Sequence, residues 1–336
     1  MDIEVFGTTA DGEDVARVTI RGGGLTANVM SWGASLQDLR LDGHGPALVL
    51  GFDAFASYPA HSPYFGATPG RYANRIAHGR FSIDGRPHQL DRNQQGRHHL
   101  HGGAQGIGKR VWGIADRGPD FVRLEIIDPD GHMGYPGTCR IACTYKLADS
   151  GVLSVLHEAE TDRPTLCNMA HHSYFNLDGG ADILDHALMI DATHYLPVDG
   201  EQIPTGTIAA VEGTPFDFRQ ARPIRFADGG GQFAYDHNYC LADGRVAKRK
   251  VASVHSPKSG VTMDVHTTEP GLQFYSGFKI DVPVPGLDGA RYGAHSGLCL
   301  ESQIWPDSPN HEAFPTAVLR PGERLNQATD YIFSRK

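Results

Sequence analysis

At 336 residues, with 39 acidic against 30 basic side chains and a formal charge of −9, the chain is poorly suited to a nucleic-acid or anionic-membrane partner. The opening stretch MDIEVFGTTADGEDV has no basic-then-apolar leader, and no run approaches the roughly 18 apolar residues of a membrane span, so an unexported, cytoplasmic protein is expected. Five cysteines without close pairing fit reduced thiols better than a disulfide framework, and the 18 histidines are an oddity that a chemical function should use.

Taken in order, the chain keeps a period of two with frequent glycine punctuation. Residues 15–20 alternate, Gly22 to Gly24 turn, and 25–30 alternate again, which is a hairpin pattern. A second hairpin runs through 80–83 and 86–90, joined by Asp84-Gly85, the pair that a type I′ turn prefers. Further strands are expected at 121–127, 140–147, 152–159, 187–192, 250–255, 261–267, 273–276 and 298–304. Long amphipathic helices are missing. Twenty-one prolines and 41 glycines are spread along the chain, and neither a fixed-period repeat nor a composition shift marks a boundary. One domain over 1–336 is expected, all-β, a large antiparallel β-sandwich.

Several motifs resemble sites without being them. Gly103 to Lys109 has phosphate-loop spacing, but Arg110 stands where Ser or Thr is needed and Val111-Trp112-Gly113 reads as strand. His98, His99 and His101 suggest a metal cluster, yet the expected downstream carboxylate is absent, so no metal is assigned and His98 and His99 are read as solvated. No Gly-x-Ser-x-Gly elbow or zinc-ribbon cysteine spacing is present.

Three places remain. The stretch 168–177, NMAHHSYFNL, packs two histidines, a serine, a tyrosine and two asparagines between apolar residues. It reads as a strand end delivering side chains into a pocket, although a polar turn with solvated histidines satisfies the same letters. Asp236 and His237, in AYDHNYCL, fit a turn with a solvated carboxylate. Glu301 lies in LCLESQIW, where apolar and cysteine neighbours on a strand should bury it, and a buried carboxylate needs partners or a raised pKa. A structural salt bridge to an arginine is the alternative there.

Together these strings resemble one family. GRYANRI (70–76), LHGG (100–103), HHSYFNL (171–177), YLPVDGEQIPTG (195–206), YDHNYCL (235–241), PGLQFYSG (270–277) and LCLESQIWPDSPN (298–310) are similar to the aldose 1-epimerases, the galactose mutarotase family. They occur in that family's order, from SWGA at Ser31 through LVLGFD at Leu48 to LRPGE at Leu319.

The resemblance implies a galactose-mutarotase-type β-sandwich with a cleft for a free sugar, without cofactor or metal. It implies Glu301 as catalytic base, His172 as catalytic acid and His101 as a second active-site histidine near the ring oxygen. Asn74, Arg75, Asp236 and Gln273 match positions that hold sugar hydroxyls. The chemistry implied is removal of the C1 hydroxyl proton with protonation of the ring oxygen, the carboxylate and imidazolium each favouring the other's charge. Two departures stand out: His171 and Phe278, where the family commonly has Asn. Both are expected to alter a hydroxyl contact and broaden or shift the aldose preference, unphosphorylated sugars still being favoured. A glycoside hydrolase using Asp236 with Glu301, or a non-catalytic sugar-binding sandwich, are the alternatives.

Overall fold

The structure, a computed structural model, describes residues 2–335. Its named strands all pair antiparallel, in keeping with short connections punctuated by glycine. The larger sheet has nine strands, with Arg249–His255, Val261–Thr267, Leu325–Arg335, Val152–Thr161, Cys139–Ala148 and Phe121–Asp128 adjacent in that order. Alternation does the work expected of it: Leu153, Val155, Val261, Met263, Val265, Tyr331 and Phe333 point inward while their neighbours are wetter.

A second, five-stranded sheet lies across this inner face, with Asp236–Cys240, Gly271–Tyr275 and Cys299–Gln303 as its last three strands. Leu272, Phe274 and Leu300 join the apolar core that Met263 and Tyr331 build from the other side. Polar groups also span the layers: Tyr331 Oη donates to Leu300 O at 3.2 Å, and Gln327 Nε2 to Ser302 O at 2.9 Å. Together these layers form an antiparallel β-sandwich. A four-stranded meander, Asp2–Thr8, Asp14–Gly22, Leu25–Met30 and Ser35–Leu41, adds Val18, Ile20, Val29 and Leu39 to the same core.

The register of the five-stranded sheet sets up the site. Asn238 opposes Gln273 and Gln273 opposes Glu301, so these three side chains stand in a row across adjacent strands. Because side chains alternate, Asp236 lies on that same face while Leu272, Phe274 and Leu300 take the other. The stretch 168–177 forms no named strand, but it is extended and wholly buried. Its backbone groups are taken up by Arg71, Ala73, Ala67, Gly66, Leu50 and Leu298, which is why an irregular segment can be interior.

Five of the interior histidines carry a consequence for stability. Burial holds His99, His157 and His172 at about 4, His171 at about 3 and His101 well below the ordinary 6.5. The unfolded chain takes up these protons below about pH 6.5 and the folded chain does not, so their stabilisation is complete above pH 6.5 and is lost toward pH 4. Each loses about 1.4 kcal/mol per pH unit in that window. Glu301, Glu269, Asp307 and Asp38, all raised by burial, oppose this, but the lowered histidines outnumber them. Thermal unfolding should therefore move down by about 5 °C or more between pH 7 and pH 5; an unchanged midpoint would contradict the neutral interior histidines.

Candidate active site

Three irregular turns meet the face carrying Glu301. His101 follows the short strand His99–Leu100 with φ of 51°, Asn74 precedes Arg75–Ile76 with φ of 62°, and Tyr64 has φ of 70°. Left-handed backbone at three non-glycine residues is costly and is tolerated where surrounding contacts fix it. Glycine is required beside them: a Cβ on Gly102 would sit 1.6 Å from Gly70 O.

Glu301 and His172 are both buried, and their Oε2 and Nε2 atoms lie 3.6 Å apart. Each offers an atom within 4.8 Å of a ring nitrogen of His101. The His172 ring stacks on Tyr174 at 5.1 Å and 20°, and its Nδ1 meets Cys299 Sγ at 3.5 Å, so the ring is held by one face and by its far nitrogen. Backbone N–H of Asn74 donates to His101 Nδ1 at 3.1 Å, which leaves the ring hydrogen of neutral His101 on Nε2. Tyr64 covers both imidazoles, 4.7 Å from His101 and 5.9 Å from His172.

Beside this trio stand the polyol-type groups. Gln273 Nε2 donates to Asp236 Oδ1 at 2.7 Å, and Arg75 Nη2 lies 3.9 Å from Asp236 Oδ2. Arg75 is steered by Gln94 Oε1 at 3.1 Å and by Asn74 Oδ1, which also accepts the Arg75 backbone N–H at 2.9 Å. Buried Glu301 Oε2 and Gln273 Oε1 have no hydrogen-bond partner, and such atoms in a native interior call for a functional reason.

Desolvation dominates the electrostatics. Burial, then the charge of Asp236, drives the Glu301 carboxyl well above its ordinary 4.5, with Arg75 opposing. Burial pulls His172 down to about 4 against its own backbone hydrogen bond and Asp236. His101 is lowered first by burial, then by His172, Arg75 and Lys109. The separation of 3.6 Å is too long for a charge-assisted hydrogen bond, and burial shifts both groups toward their neutral forms, a protonated carboxyl beside an uncharged imidazole. The expectation of a self-sustaining carboxylate–imidazolium pair is corrected accordingly.

All seven residues singled out from the sequence, Glu301, His172, His101, Asn74, Arg75, Asp236 and Gln273, are gathered at one site. Several neighbours differ from expectation. Asp236 and His237 belong to a strand, not a turn. His98 and His99 are buried rather than solvated: His98 Nε2 meets Glu201 at 2.8 Å, and His99 spans Asp91 O and Tyr135 Oη. His171 turns into the core between Tyr145 and Tyr331, with Nδ1 3.2 Å from Tyr145 Oη, so its side chain is spent on core contacts. Phe278 is half-buried with its ring edge-on to Tyr275 at 5.4 Å. Sequence reading missed Tyr64, Cys299 and Gln94; only Cys299, two residues from Glu301 on one strand, left a signal.

The aldose 1-epimerase family profile matches residues 16–331. The chain belongs to the aldose 1-epimerase family. It is 42% identical to a galactose mutarotase of Rattus norvegicus, over 98% of this chain and 97% of that one. An aldose 1-epimerase of Escherichia coli (strain K12) is 38% identical over 96% of both chains. Among solved structures, an aldose epimerase homologue from C. elegans superposes with a TM-score of 0.90 at 30% identity, covering 96% of this chain and 99% of that one. A galactose 1-epimerase from Lactobacillus acidophilus gives 0.85 at 28%, covering 99% and 98%. The fold is thus of the galactose mutarotase type.

Two histidines and a carboxylate this close invite a metal reading within the family site. The donor chemistry opposes it, because His101 Nδ1 is already an acceptor and neutral Nε2 keeps its hydrogen, leaving no lone pair for an ion. Purified protein should hold substoichiometric transition metal by elemental analysis, and added Zn²⁺ should not raise its unfolding temperature. One bound equivalent that survives dialysis, with a stabilising shift, would overturn this.

Proposed function

We propose that this protein is an aldose 1-epimerase that interconverts the α and β anomers of a free aldose such as galactose or glucose, with Glu301 and His172 as the proton-transferring pair. The observation that carries the reading is the buried Glu301–His172 approach at 3.6 Å beside groups suited to sugar hydroxyls. Glu301 takes the C1 hydroxyl proton while His172 Nε2–H protonates the ring oxygen. The bond from C1 to the ring oxygen breaks and an aldehyde forms. After rotation about C1–C2, both transfers reverse and the other anomer closes.

The opened state carries a protonated Glu301 and a neutral His172, which is the charge state that burial favours. For the cyclic sugar the same proton must first pass to His172, helped by hydroxyls donating to the carboxylate. Neutral His101, with its hydrogen fixed on Nε2, is suited to donate to the ring oxygen. Asp236, Gln273, Arg75 and Asn74 would hold the remaining hydroxyls, Arg75 through a fixed fork of donors. The alternative pairing of Asp236 with Glu301 as hydrolase carboxylates is less well supported, because Asp236 already serves Gln273 and Arg75; release of reducing sugar from a disaccharide would favour it. We also read residues 1–336 as one domain, since one apolar core joins the three largest sheets. A cytoplasmic setting fits five free cysteines and the absence, among the described residues, of any helix able to cross a membrane.

Polarimetry of freshly dissolved α-galactose with catalytic protein tests the reading. Glu301→Gln and His172→Asn should each lower kcat about 10²- to 10⁴-fold, and the double variant should be little worse than either. Unchanged rates, or losses that multiply, would count against a paired transfer. The pH profile should be bell-shaped: below about 4 His172 gains a second proton and no base remains, and above the raised Glu301 pKa the last proton leaves and no acid remains. A profile that rises as an ordinary carboxylate ionises, and then stays flat, would contradict the assignment.

A further inference from the structure

The sugar-facing groups form one wall of a narrow gap whose other wall is the loop after Tyr195. That loop is a tight hairpin: Asp199 Oδ1 accepts the backbone N–H groups of Glu201 and Ile203, and Asp199 and Ile203 also pair through their backbones at 2.9 Å. It is tied down at both ends of its turn. Leu196 N donates to Asn238 O at 2.9 Å on the site strand, while Glu201 meets Arg97 and buried His98. Next to Glu201 stands Gln202, held at φ of 66° and lining the gap together with Asn74, Arg75, Asp236 and Gln273.

The gap leaves about 10 Å³ for the centre of a water-sized group, room for one oxygen. Two buried amide oxygens in its lining, Gln202 Oε1 and Gln273 Oε1, have no hydrogen-bond partner. For Gln273 the orientation is fixed, because its Nε2 is committed to Asp236. Arg75 supplies donors to the same space. A hydroxyl placed there donates its single hydrogen to one of these amide oxygens and accepts from Arg75, so it pairs one of the two acceptors.

We propose that Gln202 is a specificity-determining residue that completes a slot for a single sugar hydroxyl on the C3–C4 edge of the pyranose. The inference rests on the epimerase reading of Glu301, His172 and His101 for the orientation of the ring. With C1 at Glu301 and His172 and the ring oxygen toward His101, the atoms opposite are C4 and C3. These then point to the Arg75–Asp236 side, where Gln202 stands. A sugar lacking that hydroxyl leaves the acceptor it would have paired buried without a donor, which is the arrangement that discriminates most sharply.

The test is equilibrium binding by calorimetry, with kcat and KM measured alongside, for galactose, 3-deoxygalactose and 4-deoxygalactose. The natural protein is compared with Gln202→Gly, which deletes the amide at a left-handed position without backbone strain, and Gln202→Asn, which keeps an amide there. The natural protein should bind galactose about tenfold or more tightly than the one deoxy sugar whose missing hydroxyl belongs in the slot. Gln202→Gly should remove most of that preference through Kd and KM, with kcat within about threefold, and Gln202→Asn should restore part of it. Equal weakening of all three sugars, or an undiminished preference in Gln202→Gly, overturns the slot, as does absence of galactose binding to the natural protein. Tight, discriminating binding without faster anomer exchange would instead overturn the epimerase reading and leave the slot standing.

Discussion

Desolvation of one carboxylate is the constraint on which the site depends. Glu301 sits on a strand buried on both faces, so its charge cannot be relieved by water, and among the described residues it has no Lys or Arg at ion-pair distance, only the imidazole of His172 at 3.6 Å. Leaving such a carboxylate ionised and unpaired costs several kcal/mol, and the molecule avoids this by keeping the proton on it. The same burial keeps His172 neutral. A pair that shares one proton, with neither partner strongly committed to holding it as a charge, is suited to moving that proton back and forth.

The rest of the architecture keeps that pair in place. Register across Asp236–Cys240, Gly271–Tyr275 and Cys299–Gln303 sets Asn238, Gln273 and Glu301 in line. The irregular stretch 168–177 brings His172 to the same face, anchored by backbone hydrogen bonds at Asn168, His172, Tyr174, Phe175 and Asn176 to neighbouring segments. Tyr174 and Cys299 then limit the ring, and Tyr64 closes over it. Left-handed Tyr64, Asn74 and His101 store strain at the site while the large sheet supplies the stability that tolerates it.

Much of this was legible in the sequence, and the failures have physical causes. Strands with apolar residues every second position, such as Val152–Thr161 and Val261–Thr267, follow directly from their period. The longest strand, Leu325–Arg335, was missed although it lies mid-sheet. Its inward positions include Gln327 and Thr329, whose polar atoms bond to Met169 O, Ser302 O and Thr267 Oγ1, so the apolar alternation is interrupted exactly where hydrogen bonds replace it in the interior. Glu301 was readable because its flanks are apolar on both sides. His171 misled, since adjacency to His172 on an extended segment places the two side chains on opposite faces, one toward the site and one toward Tyr145. Tyr64 left no trace, because its role comes from a turn that only tertiary contacts define.

The central claim is that Glu301 and His172 hold a single proton between them at neutral pH, and that it resides on the carboxyl until a sugar is bound. NMR titration of the natural protein, with ¹³C-labelled glutamate side chains and ¹⁵N-labelled imidazoles, reads both groups directly; Glu301→Gln and His172→Asn assign the resonances. Without sugar, Glu301 should remain protonated well above pH 4.5 while His172 stays neutral down to about pH 4, and galactose should shift the pair toward carboxylate and imidazolium. A Glu301 that ionises near 4.5 alongside a His172 that titrates near 6.5, with no response to galactose, would contradict the account.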